Sequence, residues 1–145
     1  MSNNAEYESL VRQVEAQRDH YETLVRIATG GADVNVDGDD YRFLVALGWA
    51  GVATEEDDQE YDIDDAAEFA QERLSEDVLS IEGIWKGASK DAAEYVGCEV
   101  VVCTGGPHVE LDTASGYWIG YWGGQKCHRA AKRDVVHYFD ELVNP

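Results

Sequence analysis

Cys103, His108 and Asp112 carry the residue types of a thiol nucleophile, a base and a group that orients the base. Such a set works only if the base reaches the thiol and donors wait for the developing oxyanion. A Thr-Gly-Gly-Pro turn separates Cys103 from His108, and nothing nearby suggests an oxyanion hole. Cys98, Cys103, Cys127 and His128 are donors that zinc accepts. Adjacent Cys-His and a CxxxxC inside a strand are not knuckle spacings, however, and an odd separation puts residues 98 and 103 on opposite faces of a regular strand. GxSxG, P-loop, strand-linked GxGxxG and HExxH motifs are absent. The expectation is inert thiols, no catalytic residue, no cofactor and no enzyme.

Asp33, Asn35, Asp37 and Gly38 match the first half of a calcium loop, where alternate side chains offer oxygens and glycine makes the sharp turn. The twelfth position would be Leu44, where the loop needs a bidentate Glu. An ordinary acidic turn before a helix is expected, with a calcium-dependent module as the alternative. Tyr117, Trp118, Tyr121 and Trp122 suggest stacking on sugars or bases. Single-strand platforms pair such rings with basic residues, and the neighbours here are acidic. One aromatic row is expected to be core.

Charge is the outstanding feature. Thirty acids against eleven lysines and arginines give the 145 residues a formal net charge of −19. Self-repulsion on that scale opposes compaction, so the charge needs a use: high salt, cations or a partner. It repels nucleic acid and anionic membranes and attracts basic protein surfaces. From Asp33 to Asp77 there are sixteen acids against Arg42 and Arg73. The densest run gives the candidate partner-binding residues: Glu55, Glu56, Asp57, Asp58, Glu60, Asp62, Asp64, Asp65 and Glu68. The plain alternative is a solvated loop, which runs of charge usually form.

The elements that position these groups follow from periodicity. Tyr7, Val14, Tyr21 and Ala28 recur every seven residues in a helix that Gly30-Gly31 ends. That stripe packs on its own chain or makes a two-helix seam with a second copy. Short helices are expected over Tyr41–Trp49 and from Asp64-Asp65 to Leu74. Strands are expected at Val78–Trp85 and, between Tyr95 and Gly124, as a hairpin-built meander. A last helix is expected over Lys126–Val143, with Ala131, Val135, Tyr138 or Phe139, and Leu142 as its buried stripe. The fold is therefore α+β: a three- to four-stranded antiparallel β-meander packed against N-terminal and C-terminal helices, in one domain. That domain divides into an acidic helical half (1–77), the meander (78–124) and the C-terminal helix (125–145). Met1–Glu8 lacks an apolar signal region, no apolar run approaches a membrane span, and three sparse cysteines suit a reducing compartment. A cytoplasmic location is expected.

With the strands laid out, Leu79-Ser80-Ile81-Glu82, then Thr104-Gly105-Gly106-Pro107, then Tyr121-Trp122-Gly123-Gly124, following an acidic helical half, can be compared as a unit. This order resembles a family of small acidic orphan proteins of phages, plasmids and other mobile elements, over about a third of the chain. The resemblance implies action against host defence, as an anti-CRISPR or anti-restriction protein presenting carboxylates where a host protein expects phosphates. Duplex DNA shows one charge per about 1.7 Å of axis, and its partners meet it with Lys/Arg grooves that a rigid acidic protein can occupy. The expected function is thus a DNA-mimic-like inhibitor that binds a protein or ribonucleoprotein defence complex. The alternative is a halophile's accessory domain whose acidity is a solvation adaptation. Four lysines and fifteen each of Asp and Glu fit that as well.

Overall fold

A computed structural model describes residues 2–33, 35–51 and 60–145. Contacts divide the chain into two units, Met1–His20 with Asp77–Pro145, and Tyr21–Glu76. Glu55, Glu56, Asp57 and Asp58 lie outside the described residues.

The first unit is a five-stranded antiparallel meander, β1 (Ser80–Lys86), β2 (Glu94–Cys103), β3 (His108–Asp112), β4 (Tyr117–Trp122) and β5 (Gln125–Ala130), whose spatial order is its chain order. Residues 2–20 of helix α1 (Ser2–Ala28), together with helix α4 (Arg133–Val143), flank it. The alternating residues Val100, Val109, Leu111 and Trp118 form one wholly buried face. Residues 2–20 of α1 supply Leu10 and Val14 to this core, both at 0% exposure. Gly120 lets the helix approach: a Cβ there would overlap Val14 Cγ2, with Leu10 Cδ1 3.0 Å away. From α4 come Val135 and Phe139.

The C-terminal segment departs from expectation. Gln125–Ala130 is a fifth strand, and the helix starts only at Arg133. Gly123 and Gly124, both at positive φ (+55° and +84°), form the two-residue turn that folds β5 back on β4. Cys127 is buried between exposed Lys126 and His128, a period of two in a run without β-branched residues. Lys126 and Arg129 consequently do not burden the start of α4. Arg129 Nε instead bonds Glu15 on α1 at 3.1 Å, and Lys126 Nζ lies 5.4 Å above the Tyr121 ring. Leu142, placed in the buried stripe by its spacing, is 56% exposed.

A buried polar network ties α4 to the sheet. Asp140 Oδ1 accepts hydrogen bonds from the Tyr95 hydroxyl and Thr113 Oγ1, each at 2.7 Å. Thr113 Oγ1 in turn accepts the Cys98 N–H at 2.7 Å. Burial first, and then the bond to Asp140, raise the Tyr95 pKa far above its ordinary value.

The second unit holds Tyr21–Ala28 of α1, α2 (Asp39–Ala46) and α3 (Ile63–Asp77). Leu24, Val25, Leu44, Tyr61, Ala66 and Ala70 are fully buried. Gly31 N–H to Arg26 O and Gly30 N–H to Ile27 O end α1 in a Schellman motif. Arg26 then reaches Asp40 with both terminal nitrogens, at 2.6 and 2.8 Å. That fork holds the Asp40 carboxyl below the ordinary carboxylate range. Of the seven-residue stripe on α1, Val14, Tyr21 and Ala28 are buried within the chain and Tyr7 is exposed.

Candidate functional site

The sheet face opposite the buried one is acidic, and strand register explains why. Glu82 on β1 pairs with Glu99 on β2, and Glu99 pairs with Asp112 on β3. Three carboxylates therefore stand in one row across three strands, about 4.8 Å apart from strand to strand. Directly opposed like charges destabilise a sheet. Tyr117 continues the row on β4. Glu110 stands in the next row, opposite Val101 and Ile119.

Electrostatics report the crowding. The Glu99 pKa is raised by burial first, then by Glu110, Asp112 and Glu82, while the His108 imidazole pulls the other way. The Tyr121 hydroxyl is likewise raised, by burial and then by Glu110, Glu99 and Asp112. His108 Nε2 lies 3.2 Å from Glu110 Oε1, whose side chain is 12% exposed. Asp112 also has a structural duty. Its Oδ1 accepts the N–H groups of Ala114 (3.0 Å) and Ser115 (3.3 Å) in the following turn. Glu82 is exposed and Glu99 half-buried, so the row faces solvent on its β1 side.

The acids singled out from the sequence sort differently. Asp62 Oδ1 accepts the N–H groups of Asp64 (3.0 Å) and Asp65 (3.2 Å), capping α3. Asp65 accepts the Trp49 indole N–H at 2.8 Å. Glu60 bridges to Asn35 through its backbone. Glu60, Asp64 and Glu68 are exposed, Asp62 and Asp65 half-buried. Two of the five described candidates therefore maintain the fold of their own unit. The row on the sheet was not anticipated. Its members are scattered at positions 82, 99 and 112, and only register assembles them.

The remaining constellations are also placed. Asp33 Oδ1 accepts the backbone N–H (3.2 Å) and the side-chain amide (2.7 Å) of Asn35, and the Asp33 N–H donates to Asp40. Asp37 has a left-handed backbone at φ 66°. These bonds make a turn that delivers Asp40 to Arg26. A register shift between Val101 and Cys103 sets Cys103 opposite Val109, on the face of Cys98, contrary to the regular-strand expectation. His108 and Asp112 stand on the other face, so the thiol–base–carboxylate set is split through the sheet. Among the described residues no group of three or more His, Cys, Asp or Glu side chains gathers as a metal would need, and Cys98, Cys103 and Cys127 are free thiols. Trp118 is core at 0% exposure, whereas Tyr117, Tyr121 and Trp122 are exposed. Tyr121, Trp122, Lys126 and Gly106 line an open cleft of about 500 Å³ between two turns, without a carboxylate or a nucleophile in its wall.

Among the described residues, no helix is long and apolar enough to cross a membrane. Compared with protein-family models, curated proteins and solved structures, the chain matches none.

Proposed function

We propose that this is a non-enzymatic inhibitor. It occupies a basic, nucleic-acid-binding surface of a host defence complex, in the manner of an anti-CRISPR or anti-restriction DNA mimic, and acts in the cytoplasm. The carrying observation is the row Glu82–Glu99–Asp112 with Glu110 beside it. Carboxylates set directly opposite one another repel, and a rigid sheet holds them there. A cationic partner relieves that repulsion and gains affinity from it. Fixed carboxylates also suit a surface built to read phosphates by charge. The net charge of −19 adds long-range steering toward such a surface. The exposed acids Glu60, Asp64 and Glu68 form a second candidate contact on the other unit.

The test is capture of CRISPR effector and restriction complexes from bacterial lysate at low and high salt, with folding followed by circular dichroism at both. The proposal expects capture that weakens with salt, is displaced by the complex's own DNA, and is lost on E82Q/E99Q/E110Q. Capture that survives both DNA and neutralisation would move the contact away from the acidic face. No capture, together with unfolding at low salt, would instead support a halophile's solvation adaptation.

A further inference from the structure

The two edges of the sheet are treated differently. On β5, Lys126 and Arg129 supply the charge that commonly keeps an edge strand from pairing. On β1 the sequence SIEGIWK has no proline, and its one cation, Lys86, is its last residue. The irregularity in β1–β2 pairing leaves β1 itself unbroken, because the unpaired residue is Val96 of β2. Among the described residues the outer side of β1 carries no strand. Apolar surface lies along it: Ile81 is 38% exposed and Trp85 48%. Trp85 is nonetheless held in place. Its indole covers Gly83, where a Cβ would overlap the ring, and it meets Tyr95 edge-on at 5.3 Å. Val143 Cγ1 closes on the same spot, 2.9 Å from that Cβ position. A fixed, half-exposed tryptophan beside an open edge is the kind of anchor that dominates binding energy.

We infer that β1 accepts an extended segment of the partner as a sixth strand, and that this segment alternates basic and apolar side chains. The inference rests on the reading above that the partner is cationic. Strand addition sends alternate side chains to opposite faces. On one face they meet Ile81 and Trp85. On the other they stand beside Glu82, the first carboxylate of the row that continues through Glu99 to Asp112. A lysine or arginine there has a stem long enough to bring its charge to Glu82. Charge argues against a second copy of this chain as the occupant. It would place another Glu82 row on the same continuous face and join two chains of −19 each.

The experiment is hydrogen exchange on the full chain at low salt with a capped peptide of four Lys-Val repeats. A peptide of four Glu-Val repeats is the control. At ten times the Kd of the Lys-Val peptide, outward amides within Ser80–Lys86 slow by about tenfold, and the Glu-Val peptide leaves them unchanged. W85A and E82Q each weaken binding. Glu82 is exposed, so its substitution keeps the test valid should W85A unfold. Binding of the Lys-Val peptide without protection of β1, or equal protection by the Glu-Val peptide, overturns the inference. So does a concentration-dependent dimer that protects β1 with no peptide present. If β1 stays unprotected while salt-sensitive capture through the acidic row persists, strand addition falls and the cationic-partner reading stands. Loss of capture as well removes both.

Discussion

Two carboxyls, Glu99 and Asp40, titrate in opposite directions on folding, and each sets its own pH dependence. The Glu99 pKa is raised in the folded chain by burial and by its acidic neighbours. A raised carboxyl pKa gives a contribution that is complete below the unfolded value, about 4.3, and is lost as pH rises through the folded one. E99Q is therefore more stable than the parent at pH 7, and the difference closes toward pH 4. The Asp40 pKa is lowered by its hydrogen bonds from Arg26. Its contribution is present above the unfolded value, about 3.9, and is lost as pH falls through the folded one. D40N is therefore less stable at pH 7, and its deficit closes only in acid. Urea midpoints from pH 3 to 7 measure both, and slopes of the same sign for the two variants would contradict this assignment. Two hydroxyls provide a matching contrast. Tyr61 is fully buried with its hydroxyl unpartnered among the described residues, and burial pushes its pKa up to about 12. Y61F should leave stability unchanged or raise it, because an unsatisfied buried hydroxyl costs free energy. T113V does the reverse. It strands the Cys98 N–H and removes a donor to Asp140, for a loss of about 1–3 kcal/mol in chemical denaturation.

At the level of elements, the start of α3 separates acids that build the fold from acids free to bind. Asp62 caps the helix, so D62A should cost about 1 kcal/mol. The triple variant E60Q/D64N/E68Q, confined to exposed side chains, should unfold at the same urea concentration as the parent. A large loss in the triple variant would mean that these acids are structural too. The same division shows what could be read in the sequence. The seven-residue stripe gave α1, Gly30-Gly31 gave its end, and alternation with Gly-rich turns gave β2 to β4, because each signal is local. The fifth strand was missed because Gln-Lys-Cys-His-Arg-Ala has no β-branched residue, and its basic side chains resemble an exposed helical face. Its strand state comes from the Gly123-Gly124 turn and from pairing with β4. The acidic row was invisible for a related reason. Glu82 and Glu99 lie seventeen positions apart, and one residue of slip in register would send either to the other face. Asp62 and Asp65 looked like binding acids because composition counts charge and does not record the backbone N–H or indole that a carboxylate already holds.

For the molecule as a whole, the question is whether −19 serves a partner or a solvent, and stability and binding answer it with different signs. If the acidic face serves a partner, its repulsion is tolerated for binding. E82Q/E99Q, which leaves Asp112 to its turn, should then raise the urea midpoint at low salt while weakening capture of the basic partner. Salt acts in the same sense on the parent. The Debye length falls from about 10 Å at 0.1 M to about 3 Å at 1 M, so repulsion within the row is screened and the chain becomes more stable as capture declines. The variant should gain less from salt than the parent, because less repulsion remains to be screened. If instead the acids serve solvation in concentrated salt, neutralising two of them should lower stability there, and no basic partner should distinguish variant from parent. Urea midpoints of parent and variant at 0.1 and 1 M salt, set beside capture at the same two concentrations, separate the cases. A variant that is more stable, less salt-dependent and poorer at capture assigns the charge to a partner. A variant that is less stable in 1 M salt and unaltered in capture assigns it to the solvent.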